Sequence, residues 1–292
     1  MDIACVVRNI INGDGSATVS DYGAHLIGWT PAGQAPVLWQ PKTLAFSPGI
    51  ALRTGIPIIF PWFNGGYDHG TMAAKRPKHG FARSSFWHVD EASLTDRHIR
   101  YTLDSDEFDG ATVAQIISGP GSRFRAAYDI EVGERLSATL TVTNTGERPL
   151  EYEAALHTYL RVGDVAEARV LGLAGTRYLD ATRPGFPECD QANDALAFDG
   201  TMVDRIYSSD TPLRLRDDAL DRTIVIGKSG SPQTVVWNPG ERAGNAIADL
   251  SDGEWRDFVC VEAAAVRDHA ARVEPGESHS LGQSITIGRA SC

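Results

Sequence analysis

Short segments in which apolar and polar residues alternate recur along the chain, divided by clusters of Gly, Pro, Asn and Asp. An alternation of period two marks strands with one buried and one solvated face. The clearest case spans 135–144, where Leu136, Ala138, Leu140 and Val142 face one way and Ser137, Thr139, Thr141 and Thr143 the other. Asn144-Thr145-Gly146 then turns the chain, and Leu150, Tyr152, Ala154 and Leu156 resume an apolar face, which predicts a hairpin between the two segments. Further strands are expected at 17–20, 25–29, 99–103, 125–132, 223–226, 233–237, 258–266 and 284–287. The chain shows no βαβ alternation, no G-x-G-x-x-G, no P-loop and no fixed repeat, which excludes dinucleotide folds and solenoids. No low-complexity linker divides it. The expectation is an all-β, antiparallel sandwich with few short helices, formed as a single domain over residues 1–292.

A few residues do not fit a purely structural pattern. By strand parity His157 shares a face with Glu151, Glu153, Tyr159 and Arg161, opposite Leu156 and Leu160. Such a face is either solvated or one wall of a sugar cleft, because sugar hydroxyls need several convergent donors and acceptors. Glu262 interrupts Phe258-Val259-Cys260-Val261-Glu262-Ala263-Ala264-Ala265-Val266, a run apolar on both faces that reads as a central buried strand. A carboxylate there is either half of a buried ion pair or a group whose pKa is raised by desolvation, able to act as a general base near neutral pH. The stretch from Lys75 to Arg83 holds four cations and no acid. Arg53 precedes a stretch, 54–63, whose prolines exclude a central strand and whose rings suggest a rigid loop against the core. The cations read either as a solvated loop or as an anion site, and for Trp62, Phe63 and Trp87 core or edge packing is favoured over stacking on a sugar.

Composition narrows the partners. The 292 residues suffice for a sizeable core without disulfides. Cysteines at 5, 189, 260 and 292 form no C-x-x-C pair and no Cys/His cluster, so free thiols are expected, with no metal site. Lys plus Arg number 27 against 38 Asp plus Glu, a net charge of −11, which is the wrong sign for a nucleic-acid or anionic-membrane surface. No apolar run approaches the roughly 18 to 20 residues of a membrane helix. Any anionic ligand must therefore meet a local basic patch. Met1-Asp2-Ile3-Ala4-Cys5 carries no secretory pattern, so a cytoplasmic location is expected, and a monomer is favoured.

Six short segments, taken in order, point to a family. They are Arg53-Thr54-Gly55-Ile56-Pro57 through Phe60-Pro61-Trp62-Phe63; His79-Gly80-Phe81-Ala82-Arg83 followed by Trp87; Ala155-Leu156-His157-Thr158-Tyr159 with Gly163-Asp164; Val203-Asp204-Arg205-Ile206-Tyr207; Val236-Trp237-Asn238-Pro239; and Phe258-Val259-Cys260-Val261-Glu262. Together they resemble the glucose-6-phosphate 1-epimerase branch of the aldose 1-epimerase superfamily. The resemblance implies a galactose mutarotase-like β-supersandwich with a cofactor-free site in its concave face, interconverting the α and β anomers of a hexose 6-phosphate. It also implies His157 as general acid, Glu262 as general base, His79 and Asp204 as sugar contacts, and Arg53 and Arg83 near the phosphate. The chain departs from the pattern at Thr54, where a glycine is usual, at Lys78, where a glutamine is common, and at Gly240, where an aromatic often follows Asn-Pro. Lys78 is thus a third candidate phosphate cation, and Thr54 and Lys78 stand where sugar or phosphate preference would change.

The residue types suit that chemistry. Mutarotation takes the proton from the anomeric hydroxyl and gives one to the ring oxygen, so one base and one acid suffice. A glycosidase needs two carboxylates flanking the bond, and the sequence offers Glu262 only Asp204, Glu151 or Glu153 as a second. A mutarotase for unphosphorylated aldoses and a non-catalytic carbohydrate-binding protein on the same fold remain the alternatives.

Overall fold

Two large antiparallel sheets carry most of the strands in the computed structural model, which describes residues 6–289. The nine-stranded sheet runs Ala195–Ala197, Ala168–Leu171, Leu213–Asp217, Arg222–Ser229, Ser278–Arg289, Arg135–Asn144, Phe124–Val132, His98–Asp104, His88–Val89. The eight-stranded sheet runs Glu188–Asp190, Arg177–Asp180, Val203–Tyr207, Gln233–Asn238, Phe258–Ala265, Ala154–Leu156, Ile58–Ile59, and Tyr159–Arg161 also pairs with Phe258–Ala265. A three-stranded sheet is built from Val7–Asn12, Gly15–Ser20 and His25–Pro31. Among the described residues only two short α-helices occur, Gly110–Val113 and Gly240–Gly244. None of the helices is long and apolar enough to cross a membrane.

Parity in the central strand Phe258–Ala265 organises the molecule. Val259, Val261, Ala263 and Ala265 join the main buried cluster with Leu136, Leu140, Leu281 and Ile285 of the nine-stranded sheet. Gln283 fixes the contact between the sheets, because its Nε2 donates to the Val261 carbonyl at 2.8 Å and its Oε1 accepts from Thr158 Oγ1. The alternate residues Phe258, Cys260, Glu262 and Ala264 lie on the sheet's other face, and every residue of the strand is buried. Loops cover that second face, which is why the strand reads as apolar on both sides.

The expected hairpin does not form. Both edges of Arg135–Asn144 are already taken, by Phe124–Val132 and by Ser278–Arg289. The turn is present, closed by the Gly146 N–H donating to Asn144 Oδ1 at 2.9 Å. Asn144 Nδ2 then donates to the carbonyls of Arg148 and Val273, and the chain crosses to the other sheet, where Leu150–Tyr152 pairs with Ala271–Val273 and Ala154–Leu156 with Phe258–Ala265. The segment 54–63 contributes the two-residue edge strand Ile58–Ile59, its neighbouring prolines lying outside the ladder. Trp62 and Trp87 are core residues. Cys189 and Cys260 are free thiols, and Cys5 and Cys292 lie outside the described residues.

Candidate active site

On the face of the eight-stranded sheet turned away from the main core, the register lines up Asp204, Trp237 and Cys260 in one row and Val235 beside Glu262 in the next. His157 enters the same row as Glu262. The strand containing it is interrupted at 157–158, where the His157 N–H turns to the Pro57 carbonyl at 3.0 Å. The pairing Leu156↔Ala263 before the break and Tyr159↔Cys260 after it keeps one register, so His157 falls opposite Glu262. Nδ1 of His157 lies 3.3 Å from Oε1 of Glu262. The contact is too misaligned for a hydrogen bond, and the buried His157 Nδ1 and Glu262 Oε2 have no hydrogen-bond partner among the described residues. Buried polar atoms are rarely left so, and such groups hold interaction free energy in reserve for a ligand.

Aromatic rings fix the imidazole. Tyr159, two residues on and therefore on the same face, stacks on it with centroids 4.8 Å apart and planes within 2°. Trp237 meets it edge to face at 5.8 Å and His79 at 6.0 Å. His79 is held by its own loop, because its Nδ1 accepts from the Asn64 N–H at 3.1 Å and its N–H donates to the Asn64 carbonyl at 2.7 Å. A neutral His79 therefore carries its ring proton on Nε2. The backbone pays for this with two consecutive left-handed residues, φ 68° at His79 and 75° at Gly80. A Cβ on Gly80 would lie 2.0 Å from the Phe60 carbonyl oxygen. Gly80→Ala is therefore expected to cost at least about 2 kcal/mol, read by urea unfolding, and wild-type stability would contradict this account of the loop.

The cavity, of about 140 Å³, is lined by Arg53, Lys78, His79, Arg83, His157, Asp204 and Glu262 together with Phe63, Asn64, Tyr159, Val235 and Trp237. All seven positions singled out in the sequence thus meet in one place. Burial is the dominant cause of the pKa shifts here, pushing Glu262 well above the usual carboxylate range and His157 and His79 well below the usual imidazole range. Neighbouring Asp204 pushes Glu262 further up, and Arg83 and Arg53 push His157 further down. Asp204 itself is raised to about 6 by burial, against the attraction of Lys78. Arg83 is lowered to about 10, also by burial, and so stays charged at neutral pH.

The cations differ in what they already hold. Arg53 Nε lies 3.0 Å from each carboxylate oxygen of Asp249, and its Nη1 donates to the Tyr159 hydroxyl at 3.2 Å. Arg83 donates only to the Lys78 carbonyl, at 2.9 Å, and no carboxylate among the described residues pairs with it. Lys75 is taken by Asp68 at 2.5 Å. Among the described residues no group of three or more His, Cys, Asp or Glu is arranged to hold a metal ion.

Several expectations change at this level. Of the face assigned to His157, only Tyr159 reaches the cavity. Glu151 pairs with Arg272, Arg161 is exposed, and Glu153 is buried as an acceptor for the N–H groups of Phe63, Tyr67 and Arg267. The register is kept through 157–158, but before Glu153 the chain pairs elsewhere, Leu150–Tyr152 with Ala271–Val273, and Arg161 falls outside the cavity lining. Of the three second carboxylates weighed for a glycosidase, only Asp204 lines the cavity. Thr54 points away, its Oγ1 donating to the Trp39 carbonyl at 2.8 Å, so it alters backbone packing rather than a ligand contact. At Gly240, with φ 66°, a Cβ would sit 2.6 Å from the Gly200 carbonyl, and this backbone admits no aromatic there. Asn64 and Asp249 were not foreseen. The Asn64-Gly65-Gly66 run is a turn signal that could have flagged the first, and nothing near Asp249 marks the second.

Comparison with known proteins identifies the family. A family model described as aldose 1-epimerase matches residues 8–286. A protein of Escherichia coli (strain K12) described as "putative glucose-6-phosphate 1-epimerase" is 29% identical over 276 residues, 91% of this chain and 85% of its own length. One of the same description from Cenchrus ciliaris is 32% identical over 263 residues, 88% and 76%. The crystal structure of a "putative mutarotase" from Salmonella typhimurium has a TM-score of 0.82 at 27% identity, covering 97% of this chain and 90% of that one. With likeness in sequence and in fold running almost from end to end, the chain belongs to the aldose 1-epimerase family.

Proposed function

We propose that the protein interconverts the α and β anomers of a hexose 6-phosphate, with glucose 6-phosphate as the leading substrate. The observation that carries this reading is the approach of His157 to Glu262, 3.3 Å apart, in a cavity that three cations, Arg53, Lys78 and Arg83, also line. Two relatives described as "putative glucose-6-phosphate 1-epimerase" support the phosphate. In the proposed cycle Glu262 takes the proton of the anomeric hydroxyl while His157 gives one to the ring oxygen, and the C1–O5 bond breaks to leave the free aldehyde. Rotation about C1–C2 presents the other carbonyl face. Closure returns the proton from the ring-forming hydroxyl to His157, and Glu262 gives its proton to the new anomeric oxygen, so the protein ends as it began. His79 and Asp204 hold sugar hydroxyls, and the arginines and Lys78 hold the phosphate. The test is the optical rotation of a freshly prepared single anomer of glucose 6-phosphate. The protein is expected to speed its drift to equilibrium well beyond the buffer rate, and an unchanged drift would overturn the reading.

The pKa directions give the pH dependence its sign. Burial lowers His157 and raises Glu262, so the single proton that the pair holds rests on Glu262, and the reacting form is the tautomer with that proton on His157. Activity falls on the acid side as the pair gains a second proton and Asp204 neutralises near 6, and on the alkaline side as the last proton leaves. The expected kcat/KM profile is a bell whose acid limb includes Asp204 near 6 and whose alkaline limb lies well above the ordinary carboxylate value. A rate confined between about 4.3 and 6.5, the free glutamic acid and histidine values, in protein folded throughout, would contradict it.

A further inference from the structure

Of the three cavity cations, Arg53 alone pairs with a carboxylate among the described residues, and that carboxylate belongs to a residue outside the cavity lining. Asp249 meets the Nε edge of Arg53 with both oxygens while the Nη1 side is turned to Tyr159, which stacks on His157. Its loop is tied down nearby. The buried Glu254 carboxylate accepts from the N–H groups of Lys42 and Ser251, both at 2.6 Å, and so joins this loop to the one leading into Arg53. Asp249 itself remains 52% exposed, and Arg53 30%. An anchored loop thus holds a solvated carboxylate against a cation that also faces the sugar pocket. A carboxylate and a phosphate offer a guanidinium the same kind of oxygen fork, so the two compete for it.

We propose that Asp249 is the resident counter-ion of the phosphate site: it holds Arg53 before substrate binds, is displaced by the 6-phosphate, and so sets how strongly the pocket favours a phosphorylated over a neutral sugar. This rests on the hexose 6-phosphate reading. By occupying Arg53, Asp249 weakens the hold of that guanidinium on a dianion in the pocket, while a neutral aldose does not feel the competition. Arg83, with no carboxylate partner, and Lys78 remain the cations of full strength.

The test is titration of wild type and Asp249→Asn with inorganic phosphate by calorimetry at fixed ionic strength, alongside kcat/KM for glucose 6-phosphate and glucose. The pair is partly exposed, so the change is of the size of an exposed ion pair. Asp249→Asn is expected to bind phosphate about two- to fivefold more tightly and to raise the ratio of kcat/KM for glucose 6-phosphate over glucose by a similar factor. In an Arg53→Ala background the same change is expected to have no effect. Unchanged or weaker phosphate binding by a folded Asp249→Asn, with phosphate still bound by wild type, overturns the role of Asp249 alone. A wild-type protein that binds no phosphate and handles both sugars equally overturns the hexose 6-phosphate reading, and the role of Asp249 with it.

Discussion

His157→Asn and Glu262→Gln are each expected to slow anomer exchange by about 10² or more, the lower range for loss of a general acid or base. Glu262→Gln keeps the size and shape of the side chain, and His157→Asn is smaller but keeps a polar group near the place of Nδ1, so the main loss is chemical. For Glu262 the fold itself favours the exchange. Desolvation already holds the carboxyl toward its protonated form, and a glutamine amide is a neutral mimic of it, so thermal stability is expected to be retained or raised. His157 sits between the Tyr159 ring and the edge of Trp237, and an asparagine leaves those rings in place at some loss of packing. Because the two groups act in one cycle, the double variant is expected to be little worse than the poorer single one. Near-normal exchange by either folded variant would remove that residue from the mechanism.

Arg83→Ala is expected to lower kcat/KM for glucose 6-phosphate by about 10- to 100-fold and to leave glucose within a few-fold of wild type. The whole chain carries −11, so long-range attraction opposes a dianion and affinity must come from local cations. One charge-assisted contact contributes roughly 1.5 to 3 kcal/mol, which gives the range. Arg83 is expected to matter more than Arg53, whose charge is already shared with Asp249. Lys78→Gln is expected to give a smaller loss, because an ammonium offers no planar fork. Removing Arg83 also takes away a charge that holds down the His157 pKa, so the acid limb of the profile is expected to move to higher pH for both sugars. Equal losses on glucose and glucose 6-phosphate would sink the phosphate assignment and favour a mutarotase for neutral aldoses.

Part of the sheet framework was legible, from alternation or from unbroken apolar runs such as Phe258–Ala265, whereas the alternating Leu213–Asp217 was not expected. The segment expected at 125–132 is Phe124–Val132, and that at 233–237 is Gln233–Asn238. Partnering was not legible. Arg135–Asn144 carries the same apolar stripe whether it pairs with the next segment or with Ser278–Arg289, more than a hundred residues later, and only the complete sheet decides. The carboxylate of Glu262 stood out against its apolar run, and His157 stood out by its face. That they lie opposite one another follows from a register that no local pattern encodes. The cations near Arg83 were visible as a cluster, yet the sequence does not distinguish Lys75, spent on Asp68, from Arg83, which has no carboxylate partner. Glu153 was grouped with the wrong wall because its strand breaks beside it, where it organises the Phe63–Tyr67 loop instead.

The most direct measurement is two-dimensional exchange NMR on equilibrated glucose 6-phosphate and on glucose, in the same buffer, with wild-type protein and with Glu262→Gln. The account predicts cross-peaks between the α and β H1 signals of glucose 6-phosphate that grow with wild-type concentration, weaker ones for glucose, and none above the buffer background with Glu262→Gln. Cross-peaks of equal strength for the two sugars, or exchange of glucose 6-phosphate that survives in folded Glu262→Gln, would contradict it.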